Sequence, residues 1–478
     1  MAINEPLIRN RPAGAPRSDR SAGASRDDTP IDLLETVDLL HRHLTDSLCR
    51  EVFASKRITE RQREWSLKAL ADFWTAVILR APKALRQALE EAHGGKSPDW
   101  PDVGTSPEAF FQRSRNLSWE FFAALHDRFT DSILPEALAV FCSTFAHLRG
   151  RFPEVFVWDG SRLDAVAHRL KILWDVRSPI LPGCLLAVYD LFRGIPRWLH
   201  FDPDSARGEM DRMREVLPHL PKGTLLLGDR LSASVRLFEE LTQNGLWGLF
   251  RRNARLSLKK QRRLGLRRCD GGVLEDWIVQ AGSGQTAAPQ TLRWVRYRRD
   301  GRTYEVLTNV LDPTHLTAIE AINLYPQRWT VERMFFDLKE VLNLHRFYAA
   351  NPNAVGMQVY AAALVYTSMR VAQGRAARQV RVDPEVISTA KFFVRIARAS
   401  CTRTTVDLTV RAIRKANPRV RIREPQWRMQ KWARTTLKEV RVEKRKPKRR
   451  RRRYCPSRHR WKSFRHVRGG ARLIRRRD

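Results

Sequence analysis

The sequence predicts an α/β fold: a mixed sheet carried by the middle of the chain, set between two mainly helical regions. Three observations carry that expectation. From Arg151 onward the pattern runs strand, strand, strand, helix, strand, helix, which is the order of an α/β layer. The flanking stretches repeat apolar residues at three- and four-residue steps, as amphipathic helices do. The length of 478 residues, 43% of them hydrophobic, suffices for more than one small core.

Residues 1–30 carry Pro, Gly, Ser, Arg and Asp with few large apolar side chains and are expected to be disordered. Residues 31–150 read as a helical N-terminal region. Leu33, Leu34, Val37, Leu40 and Leu44 mark one helical stripe, and Leu70, Phe73 and Val77 another, before Pro82 ends or kinks it. The breaker-rich stretch 93–108 ends in Ser106-Pro107-Glu108, a helix start with Ser as N-cap and Pro in the first turn. An α/β domain is expected over 151–372, with strands at 155–158, 184–189, 195–200, 225–227 and 246–250 and helices around 204–216 and 232–243. Residues 251–309 are basic and aromatic and read as a β-rich insertion. Helical patterns resume at His315 and run through Ala372; a helical region follows over 373–440, then a basic tail over 441–478.

Charge narrows the partner. Eighty-eight Lys and Arg against 51 Asp and Glu leave +37, which calls for a polyanion. No apolar run approaches the roughly 20 residues of a membrane span, and the first residues, MAINEPLIRNRPAG, hold no apolar signal stretch. Nucleic acid is therefore the expected partner, with no membrane, and a cytoplasmic, nucleoid-associated location follows. The tail holds nineteen Lys and Arg against two acids, about +17, so the rest of the chain is also strongly basic. It reads either as a DNA clamp working by counterion release or as a solubilising arm. Lys56-Arg57 and Arg61-Gln62-Arg63 make the N-terminal region a candidate for binding DNA ends. The six cysteines are scattered, as suits reduced thiols, and Cys455 with His459 are too few ligands for zinc.

Three carboxylates could carry chemistry. Asp159 follows the strand 155–158 in the stretch FVWDGS, at its expected end, with Gly160 allowing a tight turn. Asp229 follows the strand 225–227 in LLLGDR. Each alone is an ordinary turn aspartate. Glu332 lies in PQRWTVERMFFDLKEVL, expected to be one helix opened by Pro326. There Arg328, Glu332 and Lys339, at steps of four and seven, share a face, while Val331, Phe335 and Leu338 pack on another. An isolated Arg–Glu pair at that spacing is usually a solvated surface pair. Two aspartates and a glutamate together form an oxygen-rich, thiol-free set suited to Mg²⁺ or Mn²⁺. Such a set can hold two ions about 3.5–4 Å apart for in-line phosphoryl displacement.

The spacing Tyr325-x2-Arg328-x3-Glu332-x6-Lys339 resembles the Y-x2-R-x3-E-x6-K signature of the insertion-sequence-four group of bacterial DDE transposases. The surrounding LYPQRWTVERMFFDLKEVLNLHRF, Asp159 in DGS and Asp229 in GDR are similar to that group as well, in the same order along the chain. Pro326 departs from it, standing where relatives more often carry a basic residue. The resemblance covers roughly residues 151–371. It implies an RNase H-like core with a β-rich insertion before the glutamate helix, and catalysis by Asp159, Asp229 and Glu332 as metal ligands. It also implies DNA-phosphate contacts from Tyr325, Arg328 and Lys339, and a dimer on DNA. An insertion tryptophan would stack on a flipped base; Trp294, between Arg293 and Arg296, is preferred to Trp247 and Trp277, although for any one of them a core aromatic is the commoner role.

The function expected is therefore metal-dependent strand cleavage at insertion-sequence ends, followed by attack of the 3′-hydroxyl on target DNA. The alternative is a decayed or repurposed, non-catalytic nucleic-acid-binding protein. A structure-specific nuclease would account for the acids but not for the Tyr325–Lys339 spacing.

Overall fold

The structure, a computed structural model, describes residues 26–55, 65–93, 100–101, 103–104, 106–141, 145–163, 183–204, 208–283, 288–349, 351–417 and 427–443. Most of the expected disordered arm, the Lys56–Arg63 basic cluster, Cys455, His459 and the tail beyond 443 lie outside these residues. Part of the arm is structured after all. Arg26–Asp28 form a 3-10 turn, and Pro30 opens strand β1 (Pro30–Asp32). Composition misled here because the partner is remote: β1 pairs antiparallel with residues Arg434–Thr436, Ile31 opposite Thr435, and Arg441 bonds Asp27.

Among the described residues the main sheet has nine strands. In chain order they are β2 (Val155–Arg162), β3 (Cys184–Asp190), β4 (Ile195–Asp202), β5 (Leu225–Gly228), β6 (Trp247–Arg251), β7 (Leu258–Cys269), β8 (Gly272–Ala281), β9 (Gln290–Arg299) and β10 (Arg302–Thr308). Their spatial order is β4-β3-β2-β5-β6-β10-β9-β8-β7. β2, β3 and β4 are antiparallel neighbours, whereas β2, β5 and β6 run parallel, with Val157 opposite Leu227 and Leu227 opposite Leu249. The β-rich insertion therefore extends this sheet, through antiparallel pairing of β10 with β6. Leu225–Gly228 is buried throughout, as a parallel strand covered on both faces should be.

Alternation along the strands divides the packing. Phe156, Trp158, Leu226 and Phe250 meet Met213 of the helix Glu209–Val216 and Leu237, Phe238 and Leu241 of Val235–Gln243. Val155, Val157, Leu225, Leu227 and Leu249 join the larger core on the other side. The centre of that core is the helix Pro352–Gln379, which continues past Ala372 to Gln379 and is buried nearly all round. It contacts the N-terminal helices Glu35–His43, Leu67–Arg80 and Glu120–Val140 as well as β4. At Gly356 a Cβ would lie 2.5 Å from the Trp119 Cβ, so only glycine permits that crossing.

The glutamate-bearing segment is not the single α-helix expected. A helix Ala318–Leu324 leads through a 3-10 turn, Tyr325–Arg328, into Trp329–Phe336, and a π turn, Asp337–Val341, follows. Pro326 therefore continues a helical run rather than opening one, and Tyr325 is itself helical (φ −54°, ψ −39°). Pro326 stands in the first turn of the 3-10 segment, where the N–H that proline lacks is least missed. The π turn is closed by Leu342 N–H to the Asp337 carbonyl at 2.9 Å, and it widens the seven-residue step from Glu332 to Lys339.

Glu320 locks the base of this segment. It forms the capping box with Thr317 and accepts hydrogen bonds from Arg151 at 2.6 and 3.0 Å. Burial would raise its pKa, but the Arg151 and Thr317 hydrogen bonds outweigh burial and hold it at about 2. A carboxylate depressed below its unfolded value stabilises the fold fully above that value and loses the contribution as pH falls through the folded value. Acid titration followed by circular dichroism should therefore show stability falling between about pH 4.5 and pH 2, by on the order of 2–3 kcal/mol. Glu320→Gln should flatten that limb; an unchanged acid limb would contradict the assignment.

Candidate active site

The acids gather where the parallel strands end. Val157 and Leu227 are the last paired residues of β2 and β5, and Asp159 and Asp229 each stand two residues beyond them. The sequence placed Asp159 at a strand end; it lies instead inside β2, because β2 continues to Arg162 against β3, with Asp159 opposite Ala187. What ends near Asp159 is only the pairing with β5. The carboxyl ends of neighbouring parallel strands form an open crevice, the usual ligand site of such sheets. Asp229 is a turn residue, as its context suggested: its Oδ1 accepts the Leu231 and Ser232 N–H groups at 2.6 and 3.2 Å.

Glu332 comes to this crevice on its helix, and Arg328 joins it to Asp159. The Arg328 guanidinium lies 2.5 Å from Glu332 Oε1 and 3.5 Å from Asp159 Oδ2. Lys339 turns to the end of the same strand, donating to Ser161 Oγ at 2.6 Å and to the Arg162 carbonyl. Asp159 and Ser161 alternate onto one face of β2, so the segment bearing Arg328, Glu332 and Lys339 runs along that face. Tyr325 is half-buried, with Arg328, Arg251 and Asp229 acting on its phenol. Burial is the main reason its pKa is raised.

Electrostatics mark the cluster. Burial pushes Asp159 up to about 6, with Glu332 and Asp229 adding to the rise and Arg328 and the Gly160 N–H opposing it. Burial also lowers Lys339. Among the described residues no group of three or more His, Cys, Asp or Glu is arranged to hold a metal ion. The donors are nonetheless hard oxygens, which suit Mg²⁺ or Mn²⁺, and a cation already bridges Asp159 and Glu332, in the form of Arg328.

Trp294 stands apart from this group, on β9. It is 5% exposed, opposite Trp277 and Leu307 in the sheet. The cationic groups of Arg296, Arg252 and Lys260 lie 4.9, 5.0 and 5.3 Å from its ring centroid.

Two neighbours escaped the sequence reading. Arg251 ends β6 beside Tyr325. Glu209, the first residue of its helix, has its carboxyl group against Gly160. Burial raises Glu209 to about 7, and Asp159 and Asp229 add to the rise. The only sequence signal for Glu209 was an acid in the first turn of a helix preceding a buried parallel strand, which is commonplace.

The family model described as "Transposase DDE domain" matches residues 183–368, a span holding Asp229, Tyr325, Arg328, Glu332 and Lys339 and beginning after Asp159. The chain is 31% identical over 253 residues to a putative transposase, y4zB, of Sinorhizobium fredii, covering 49% of this chain and 68% of that protein. It is 26% identical over 171 residues to a probable transposase for insertion sequence element IS5377 of Geobacillus stearothermophilus, covering 35% of this chain and 45% of that protein. A putative transposase for insertion sequence element IS4SA of a Synechocystis strain is 29% identical over 103 residues, covering 20% of this chain and 29% of that protein. Together these matches establish that the chain belongs to the DDE transposase family.

Proposed function

We propose that this chain is a transposase of the insertion-sequence-four group that cleaves DNA at the ends of its insertion sequence and joins the freed 3′-hydroxyl to target DNA. The observation that carries the reading is the placement of Asp159 in β2 and Asp229 just after the adjacent parallel strand β5, with Glu332 tied to Asp159 through Arg328. An RNase H-like core is supported by the first five strands of the sheet. They lie in the order β4-β3-β2-β5-β6, three antiparallel and then parallel from β2 onward. Among the described residues no helix is long and apolar enough to cross a membrane, and a DNA substrate places the protein at the nucleoid.

In this reading Asp159, Asp229 and Glu332 hold divalent cations, Mg²⁺ or Mn²⁺. Bound there, two such ions would supply Lewis acidity and an activated hydroxyl at the scissile phosphate. The protein's own groups prepare that site. Arg328 neutralises Asp159 and Glu332 while DNA is absent, which keeps like charges from forcing the helix and strand apart. A phosphate competes for the same guanidinium by bidentate pairing, which frees both acids. Tyr325 and Lys339 take neighbouring phosphates. Trp294 stacks on a base once Arg252, Lys260 and Arg296 turn outward to phosphates. Both ends of the inserted DNA must be cut together, which calls for a dimer on DNA.

A second reading, binding without cleavage, is favoured by one observation: Arg328 already fills the gap between two of the acids. Nicking of a duplex carrying the inverted repeats that flank the gene separates the two. With Mg²⁺ or Mn²⁺ the wild type should nick, and Asp159→Asn, Asp229→Asn and Glu332→Gln should each lower the rate by about a thousandfold or more, roughly 4 kcal/mol, while binding persists. Binding with no metal-dependent nicking would establish the second reading.

For Lys339→Ala the same duplex should bind more weakly, and the slope of log affinity against log salt should fall by about one. An unchanged slope would confine Lys339 to its bond with Ser161.

A further inference from the structure

We propose that strand β7, the open edge of the main sheet, is a second DNA-binding surface, gripping the phosphate backbone of the duplex being cut at a distance from the acids. The inference rests on the DNA-cutting reading above only for its choice of polyanion.

Charge is the first argument. β7 carries Lys259, Lys260, Arg262, Arg263, Arg267 and Arg268 and no acid, and all six cations are exposed. Among the described residues none of the six forms an ion pair. Glu275 and Asp276 of β8 stand opposite β7 as well as β9, yet they pair with Arg293, Arg296 and Arg298 of β9. Edge strands are commonly charged so that sheets do not join edge to edge. Alternating signs would serve that purpose, whereas six like charges within ten residues repel one another. Such a surplus is matched by an anionic partner.

Register is the second argument. β7 is bulged twice against β8, between Lys260 and Arg262 and between Arg263 and Gly265. Plain alternation would send Lys260 and Arg263 to opposite faces. With the bulges, Lys260, Arg263 and Arg268 stand opposite Val279, Trp277 and Val273 on one face of the sheet. Lys259, Arg262 and Arg267 stand opposite Gln280, Ile278 and Leu274 on the other. Three cations therefore flank the open edge on each side. Lys260 and Arg263 are held in place by Trp277, whose ring centroid lies 4.1 and 5.8 Å from their charged groups.

Position is the third. Pairing runs from Gly228, the residue before Asp229, through Phe250, Leu307, Trp294 and Trp277 to Arg263. The middle of the basic edge is thus level with the end of β5, and five strand spacings put it about 24 Å away. A duplex leaving the crevice across the sheet reaches β7 about seven base pairs on.

The test is fluorescence anisotropy of the full chain with a duplex carrying the inverted repeat that flanks the gene, across a salt titration, together with hydroxyl-radical footprinting of the complex. The variants alter only the face turned from the tryptophans. One combines Lys259→Gln, Arg262→Gln and Arg267→Gln; the other changes the same three positions to Glu, which keeps the edge charged against edge-to-edge pairing. The Gln triple should bind about tenfold or more weakly at about 0.1 M salt, with the slope of log affinity against log salt lowered by about three. It should also lose backbone protection that begins about seven base pairs from the end of the repeat. The Glu triple should bind more weakly still, and it carries the test if the Gln triple aggregates. Triples that keep the wild-type slope and footprint would confine the six charges to guarding the edge and overturn the assignment. Triples that lose both, in a protein whose wild type never nicks, would leave this surface standing and overturn the cleavage reading instead.

Discussion

Arg328 brings two carboxylates from different elements into one place. Asp159 belongs to a strand whose position is fixed by pairing on both sides, and Glu332 belongs to a helix whose angle to that strand is set by packing alone. Coulomb repulsion between them would be felt as a small rotation of the helix, and the guanidinium removes it. The rest of the segment depends on the same contact. With Arg328 seated, Val331, Met334 and Phe335 turn inward to the core, and Lys339 falls beside Ser161. An ion pair of this kind contributes little net stability, because desolvation offsets much of the attraction. Its value lies in holding one helix orientation.

Parallel strands account for the position of the crevice, and buried polar links account for its rigidity. Asn309 accepts the Gly248 N–H at 2.7 Å and donates to the Leu246 carbonyl at 3.0 Å, which fixes the start of β6. Arg293 is fully buried, paired with Asp276 at 2.6 and 2.8 Å and donating to the Leu316 carbonyl just before the helix Ala318–Leu324. Arg370 ties the central helix to the Gly194 carbonyl between β3 and β4 and to Glu385, which Arg333 of the glutamate helix also reaches. The face of that helix away from the acids is therefore held by charge as well as by apolar packing.

Local pattern reached some of this arrangement and not the rest, for physical reasons. The order of strands and helices from β2 to β6 was legible because buried parallel strands read as short apolar runs and Gly or Pro punctuates them. Glu332 was legible because its neighbours at four and seven residues carry the spacing. Asp159 was misjudged as a strand end because the chain shows where apolar residues stop and not where a partner strand stops. The π turn left no trace, since it depends on where Asp337 and Leu338 are buried. Trp294 looked accessible between two arginines, but alternation sends Arg293 to the opposite face and leaves Arg296 over the ring. Glu209 was invisible because its surroundings come from Asp159 and Gly160 of β2, some 50 residues earlier, and from Asp229 in the turn after β5.

The small sheet formed by Pro30–Asp32 and Arg434–Thr436 has a consequence for how the protein is made. At about 5–20 residues per second, the ribosome needs on the order of 20–80 s to deliver the second strand after the first. Throughout that interval Ile31, Leu33 and Leu34 lack their final cover from Ala433, Leu437 and Val440. The central helix Pro352–Gln379 also arrives late, so the N-terminal helices wait for the surface they pack on. Completion of the core is thus a late event in synthesis, and the nascent chain carries exposed apolar surface for most of its time on the ribosome.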